Sequence, residues 1–182
     1  MYFEAAGSVN TEKTLMCACQ RAIELGIDEV VISSTRGGSA RKALDIFKDV
    51  RIVAVTYHCG VIKPFESVMP AEVREDLTRK GVTVVSATHA LSGIERSVAK
   101  KYSGAYPALL IADTLRLFGQ GTKVAVEVAI MAADAGALSG KNIIAIGGTS
   151  GGVDTALVLT PAHQSNFFDM KIHEIICKPR HF

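Results

Sequence analysis

The chain of 182 residues is 48% hydrophobic and 21% charged, which suits one domain with a sizeable core and excludes an extended disordered segment. A net charge of +2, with no block of Lys or Arg, is far from the balance of a dedicated nucleic-acid binder. Met1-Tyr2-Phe3-Glu4 lacks the basic region and apolar core of a signal peptide, and the most apolar helical run, Val124 to Ala135, holds Glu127 and Asp134 and is too short to cross a bilayer.

Asn10 is placed to cap a helix beginning at Thr11, with Glu12 favourable in its first turn. Leu15, Ala18, Cys19 and Ala22 line one face of that helix, and Gly26 ends it. Glu29-Val30-Val31-Ile32 is short and β-branched, the mark of a buried strand. The loop Ser33-Ser34-Thr35-Arg36-Gly37-Gly38-Ser39 follows, then a helix with Ala40, Ala43, Leu44 and Phe47 on one face. Ile52 to Thr56 is a second strand whose end carries Tyr57-His58-Cys59-Gly60. Pro70 opens a helix with Val73 and Leu77 on its apolar side, and Gly81 closes it. Val82 to Ser86 is a third strand running into Ala87-Thr88-His89, and the polar Ser92 to Ser103 is helical in part. Pro107 opens a helix with Ala108, Ile111, Ala112 and Leu115 on one side. After Gly119-Gln120-Gly121 a nearly all-apolar helix runs from Thr122 to Ala135. Asn142 to Ile146 is a fourth strand, Gly147 to Asp154 a Gly-rich loop, Thr155 to Thr160 a fifth strand and Lys171 to Cys177 a sixth. No repeat, low-complexity tract or linker interrupts the pattern, so a single domain over 1–182 is expected.

Alternating strands and helices imply a parallel sheet covered on both faces. The Gly147 to Asp154 loop is too short for a crossover helix, so the strand after it should run antiparallel to the one before. In such a sheet a ligand belongs at the carboxyl ends of the parallel strands. The Arg36 loop, His58, Thr88-His89 and the Gly147 loop all follow parallel strands and share that rim. Asn10-Thr11 and Thr122 begin crossover helices at the same rim.

The Arg36 loop joins a strand end to a helix start, where free N–H groups and the positive helix end point at one spot. Gly37 and Gly38 permit close approach, Ser34, Thr35 and Ser39 add hydroxyls, and Arg36 adds a guanidinium suited to phosphate. The pattern reads as an anion site, against the plainer alternative of a βα turn in which Ser39 caps its helix. Gly119-Gln120-Gly121-Thr122-Lys123 is a second candidate cradle. Its plain alternative is a Lys123–Glu127 ion pair, worth a few tenths of a kcal/mol if exposed. Gly147-Gly148-Thr149-Ser150-Gly151-Gly152 could wrap a phosphate, a ribityl chain or a ring edge. Gly148, Ser150 and Gly152 also fit G-x-S-x-G, but a nucleophile elbow needs a helix next and a strand follows. Neither G-x-G-x-x-G after a strand nor G-x-x-x-x-G-K-[ST] is present, which argues against a dinucleotide Rossmann enzyme or a P-loop NTPase.

His58 and His89 sit just past strand ends, where each could bond a ligand or shuttle a proton, or simply bond a neighbouring carbonyl. Tyr57 and Phe65 could flank a ring or belong to the core. Lys100-Lys101 reads as a solvated face. Cys17 and Cys19 do not share a helical face, and Cys59 and Cys177 have no partner in sequence, so buried free thiols and a cytoplasmic setting are expected. The five histidines show no ligand spacing that supports a metal site.

Asp28-Glu29-Val30-Val31-Ile32, Thr35-Arg36-Gly37-Gly38-Ser39-Ala40 and Ile52-Val53-Ala54-Val55-Thr56 resemble the C-terminal domain of pyruvate kinase, with its strand, Thr-x-x-Gly-x-Ser-Ala-type loop, helix and strand ending in Thr. The resemblance covers under a third of the chain closely. It implies a three-layer α/β/α sandwich, mostly parallel with an antiparallel last strand. In some pyruvate kinases the matching loop holds a phosphate of an allosteric sugar bisphosphate, which implies phosphate contacts for Thr35, Arg36, Gly37, Gly38 and Ser39. The two other Gly-rich segments resemble a small family of stand-alone versions of this domain, mainly in archaea. That likeness implies flavin mononucleotide (FMN) as ligand, association into a homo-oligomer, and no pyruvate kinase activity, since the catalytic barrel is absent. The functional expectation is a domain that binds a phosphorylated small ligand, with phosphate on Thr35 to Ser39 or on Thr122-Lys123. The ring would lie near His58, Thr88, His89 and the segment Gly148, Thr149, Ser150, Gly151. The alternatives are a small enzyme using His58 or His89 as acid or base, and a regulatory domain that docks a partner.

Overall fold

The computed structural model describes every residue from Met1 to Phe182. In chain order the elements are β1 (Tyr2–Ala5), α1 (Thr11–Leu25), β2 (Glu29–Ser33), α2 (Gly38–Ile46), β3 (Arg51–Thr56), α3 (Ala71–Arg79) and β4 (Thr83–Ser86). They continue with α4 (Gly93–Lys101), α5 (Pro107–Arg116), α6 (Gln120–Asp134), β5 (Ile143–Gly147), β6 (Thr155–Thr160) and β7 (Lys171–His181). Two short 3-10 turns, Ser8–Asn10 and Gln164–Asp169, precede α1 and β7.

One sheet holds all seven strands in the order β1-β7-β6-β5-β2-β3-β4. β5, β2, β3 and β4 are parallel, and β6 is antiparallel to both β5 and β7. Because β1 pairs parallel to β7, β6 alone runs against the rest. The expected α/β/α sandwich, with its reversal after the Gly-rich loop, is therefore the fold. Sequence periodicity missed β1, a four-residue strand whose only inward side chain is Phe3. It also ended β7 too early: the strand continues through Pro179 to pair with β1.

Alternation along the central strands divides the core in two. Val30, Ile32, Ile52, Ala54, Ile144 and Ile146 pack against Leu15 and Ala18 of α1, Ala40 and Ala43 of α2 and Leu77 of α3. Val31, Val53, Val55, Val85 and Ala145 face the other way, onto Ala112 of α5 and Ala125, Ala129 and Ile130 of α6. Strands buried on both faces read as unbroken apolar runs, as these do. From Gly121 to Ala133, α6 is buried at every position except Val124, which explains its apolar composition.

Local details depart from expectation at the helix starts. Asn10 makes no side-chain cap to α1; its Nδ2 donates to Ala5 O at 2.7 Å and ties the helix start to β1. α6 begins at Gln120, two residues before the expected start at Thr122, so Gly121 lies inside the helix rather than in a loop. All four thiols are free, but Cys59 is exposed where burial was expected.

α6 lies close on β5 because Gly147 carries no side chain where the α6 backbone passes. A methyl on Gly147 would overlap Gly121 O and stand 2.6 Å from Ala125 N, both backbone atoms that cannot yield alone. Gly147→Ala should therefore destabilise by about 1–3 kcal/mol, lowering the melting temperature by several degrees; an unchanged thermal melt would refute this packing.

Candidate functional site

From β2 the chain moves outward through β3 to β4, then returns to the other side of β2 as β5. The loops leaving β2 and β5 consequently diverge, and a crevice opens outside the carboxyl ends of the strands at that switch point. A cleft of about 1500 Å³ occupies this position. Its walls come from the segments after β2, β3, β4 and β5, the start of α6, and the turn before α1.

The structure brings Thr11, Ser34, Thr35, Arg36, Gly38, Ser39, His58, Thr88, His89, Lys123, Gly148, Ser150 and Gly151 to this cleft. Asn10, Gly37, Gly121, Thr122 and Thr149 do not line it.

The Arg36 loop is held by its own side chains. Ser34 Oγ accepts the Ala40 N–H at 3.1 Å, so Ser34, not Ser39, satisfies the third amide of α2. The Thr56 hydroxyl donates to Thr35 O at 2.7 Å and fixes the loop to the end of β3. Gly37 adopts φ 90° and is buried against Val73 of α3, so packing and backbone conformation require a glycine there without any ligand. Gly38 has open space where a Cβ would stand. Gly38 and Ser39 occupy the first turn of α2, where N–H groups have no intrahelical acceptor.

The Gly-rich loop after β5 is stitched to the N-terminal segment. Thr11 Oγ1 accepts the Val153 N–H at 3.1 Å, and the buried Asp154 carboxylate accepts the Gly7 N–H at 2.9 Å and the Thr155 hydroxyl at 2.9 Å. Ser150 has φ 56°, a left-handed conformation unusual outside glycine. The Thr149 hydroxyl is buried without a partner. The strand β6 follows, so no nucleophile elbow exists at Ser150.

At the start of α6, Thr122 donates its hydroxyl to Phe118 O at 3.0 Å rather than capping the helix. Gly121 packs on Asp154 and Thr155. Lys123 and Glu127 form an ion pair with both side chains 5% exposed, and Glu127 also accepts the Leu91 N–H at 3.0 Å. Burial pushes the Lys123 ammonium below its ordinary pKa, against the opposing pull of Glu127. His89 is likewise lowered from 6.5, first by burial and then by Lys123, His58 and Arg96, with Glu127 opposing. Its ring stands 5.2 Å from Tyr57 and 5.4 Å from His58, centroid to centroid. His58 Nδ1 lies 2.7 Å from Cys59 O. Phe65 projects into solvent, 97% exposed, away from the cleft.

Sequence reasoning missed four cations on the lining: Lys42, Arg96, Lys100 and Arg116. With Arg36 and Lys123 they face one carboxylate, Glu127. Lys123 is neutralised by Glu127 and Arg116 is paired with Asp113. No ion pair engages Arg36, Lys42, Arg96 or Lys100. The opposite edge of the sheet differs: buried Glu29 there is satisfied by Arg51 at 2.8 Å and by the Ser139 hydroxyl and N–H at 3.0 and 3.1 Å.

Two outcomes follow from the buried pair and the histidine. Lys123→Met alone should cost about 3–5 kcal/mol in denaturant unfolding, because it leaves the Glu127 charge buried; Lys123→Met with Glu127→Leu should recover most of that loss. His89 binds its proton more weakly folded than unfolded, so the unfolded chain gains protons first as pH falls below about 6.5. Wild-type stability relative to His89→Asn should therefore decline from there toward more acid pH; parallel pH–stability curves would refute the shift.

Among solved structures, the fold is similar to a pyruvate kinase from Cryptosporidium parvum, at 16% identity and a TM-score of 0.42, covering 83% of this chain and 23% of that one. The same organism's pyruvate kinase in complex with ADP matches at 18% identity and a TM-score of 0.41, covering 89% of this chain and 23% of that one. The chain thus spans under a quarter of the length of either structure. The family model for the pyruvate kinase alpha/beta domain matches residues 12–159, from α1 through β6, and the chain belongs to that family.

Proposed function

We propose that the chain binds a phosphorylated small ligand, a mononucleotide such as FMN, in the cleft at the carboxyl edge of the sheet. One observation carries the reading: six cations and a single, already paired carboxylate line this cleft, in a chain whose net charge is only +2. Leaving cations unpaired costs solubility and stability little only while water reaches them, and a clustered positive field concentrates anions. The phosphate would sit at the Arg36 loop, where the free Gly38 and Ser39 amides begin α2 and the side chains of Thr35, Arg36 and Ser39 line the same cleft. The apolar floor formed by Val55, Val128 and Met131 suits a planar ring, with Tyr57 and His89 beside it.

A second reading, proton transfer on the bound ligand, is favoured by His89, which lines the cleft and whose imidazole burial holds below its ordinary pKa.

Titration with FMN, followed by quenching of flavin fluorescence, tests the proposal. Riboflavin, which lacks the phosphate, should bind at least about tenfold more weakly, and Arg36→Gln should weaken FMN by about 10- to 100-fold, as loss of charge-assisted hydrogen bonds does. Equal affinity of wild type and Arg36→Gln would remove Arg36 from the site. Absence of binding by FMN, with stabilisation by other phosphate esters, would replace the flavin with another phosphorylated ligand.

A further inference from the structure

We propose that Cys17, Cys177 and the Met1 side chain form a site for one copper(I) ion between α1 and the β7–β1 edge of the sheet. None of the three lines the cleft, so the site is independent of the proposed function.

Backbone pairing sets two of the donors side by side. The Met1 nitrogen donates to Ile176 O at 2.6 Å, and Met1 O accepts the Lys178 N–H at 3.2 Å. Met1 therefore straddles Cys177, in register with the parallel pairing of β1 and β7, and the two side chains project to one face. That face is the one covered by α1, since Cys177 belongs to the core formed with Leu15 and Ala18. Cys17 comes from α1 itself, and its Sγ stands 3.7 Å from Met1 Sδ. A metal–sulfur bond is about 2.3 Å long, so two such bonds at about the tetrahedral angle hold their sulfurs about 3.8 Å apart. Met1 and Cys17 already have this spacing. Cys177 is near enough to Cys17 for a thiolate on one to oppose ionisation of the other.

A fourth group marks the same place. Thr14, one turn before Cys17 on α1, is fully buried, and its hydroxyl has no hydrogen-bond partner. It stands beside the Cys177 sulfur, and a thiolate there would supply the missing acceptor. Met1 is exposed and Cys17 half-buried, so an ion can enter beside Met1 and reach the buried Cys177.

The donor set selects the metal. Two thiolates and a thioether are soft ligands and suit copper(I), whereas structural zinc takes four ligands from thiolate, imidazole and carboxylate. No group of three His, Cys, Asp or Glu offers a harder ion an alternative. Burial pushes the Cys177 thiol up to about 12, so its proton yields only to a strongly thiophilic ion. On binding, both thiols release their protons to solvent and copper keeps its oxidation state.

Anaerobic titration of the full chain with copper(I), in competition with the chelator bicinchoninate, tests the site. Cys59→Ser serves as the background, because it removes the exposed thiol. One equivalent of copper should leave the chelator. Cys17→Ser or Cys177→Ala should abolish that transfer, and Thr14→Val should weaken it by about tenfold, as loss of an outer-shell partner does. Cys19→Ser should bind copper unchanged, since Cys19 Sγ is directed to Ile46 O at 3.5 Å. Copper that stays with the chelator would overturn the site, as would undiminished binding by Cys17→Ser or Cys177→Ala. X-ray absorption on the copper-loaded Cys59→Ser chain should show three sulfur neighbours; nitrogen or oxygen in that shell would overturn the assignment whether or not the other variants fold.

Discussion

The close approach of α6 to β5 governs the geometry of the whole rim. Gly147 removes the side chain that would hold α6 off β5, and Gly121 the one that would hold it off the start of β6. At this separation α6 can be buried on all sides, and its polar residues Lys123 and Glu127 enter the cleft wall as a mutually neutralised pair. The same approach seats Gly121 against Asp154 and Thr155, just beyond the Gly-rich loop. Helix start, strand end and loop are thereby fixed in one rigid corner. Gly121 and Gly147 thus serve packing, while Gly148 and Gly151 line the cleft.

Much of the fold was legible because burial leaves a clear trace. β2, β3 and β5 are covered on both faces and read as continuous β-branched runs, while α1 and α2 show the helical spacing. The reversal at β6 followed from loop length alone, since eight residues from Gly147 to Asp154 cannot carry a crossover helix. β1 left no such trace. It is four residues long, shows one inward side chain, and depends on β7, which lies at the far end of the chain.

Legibility was uneven at the site. The segments that follow parallel strands could be assigned to one rim from topology, and the structure gathers them there. The roles of single residues were harder to read. Ser34 and Ser39 are equivalent in sequence, but only Ser34 reaches back to the Ala40 amide. Gly37 and Gly38 look alike, yet Val73 fills the space beside one and leaves the other open. Lys100, with Lys101, reads in sequence as a solvated face, and Arg96 carries no local signal, because the relation of both Lys100 and Arg96 to the cleft depends on where α4 settles.

The ties between the N-terminal segment and the Gly-rich loop have a mechanical consequence. Displacing residues 148–152 would break the Val153–Thr11 and Gly7–Asp154 hydrogen bonds in buried surroundings, and would pull on β1 through the turn that joins it to α1. Despite its glycine content this loop behaves as masonry rather than as a flap. Strain applied at the edge strand β1 is transmitted past β7 to the loop between β6 and β5, so one edge of the sheet and the wall of the cleft at its middle share one elastic fate.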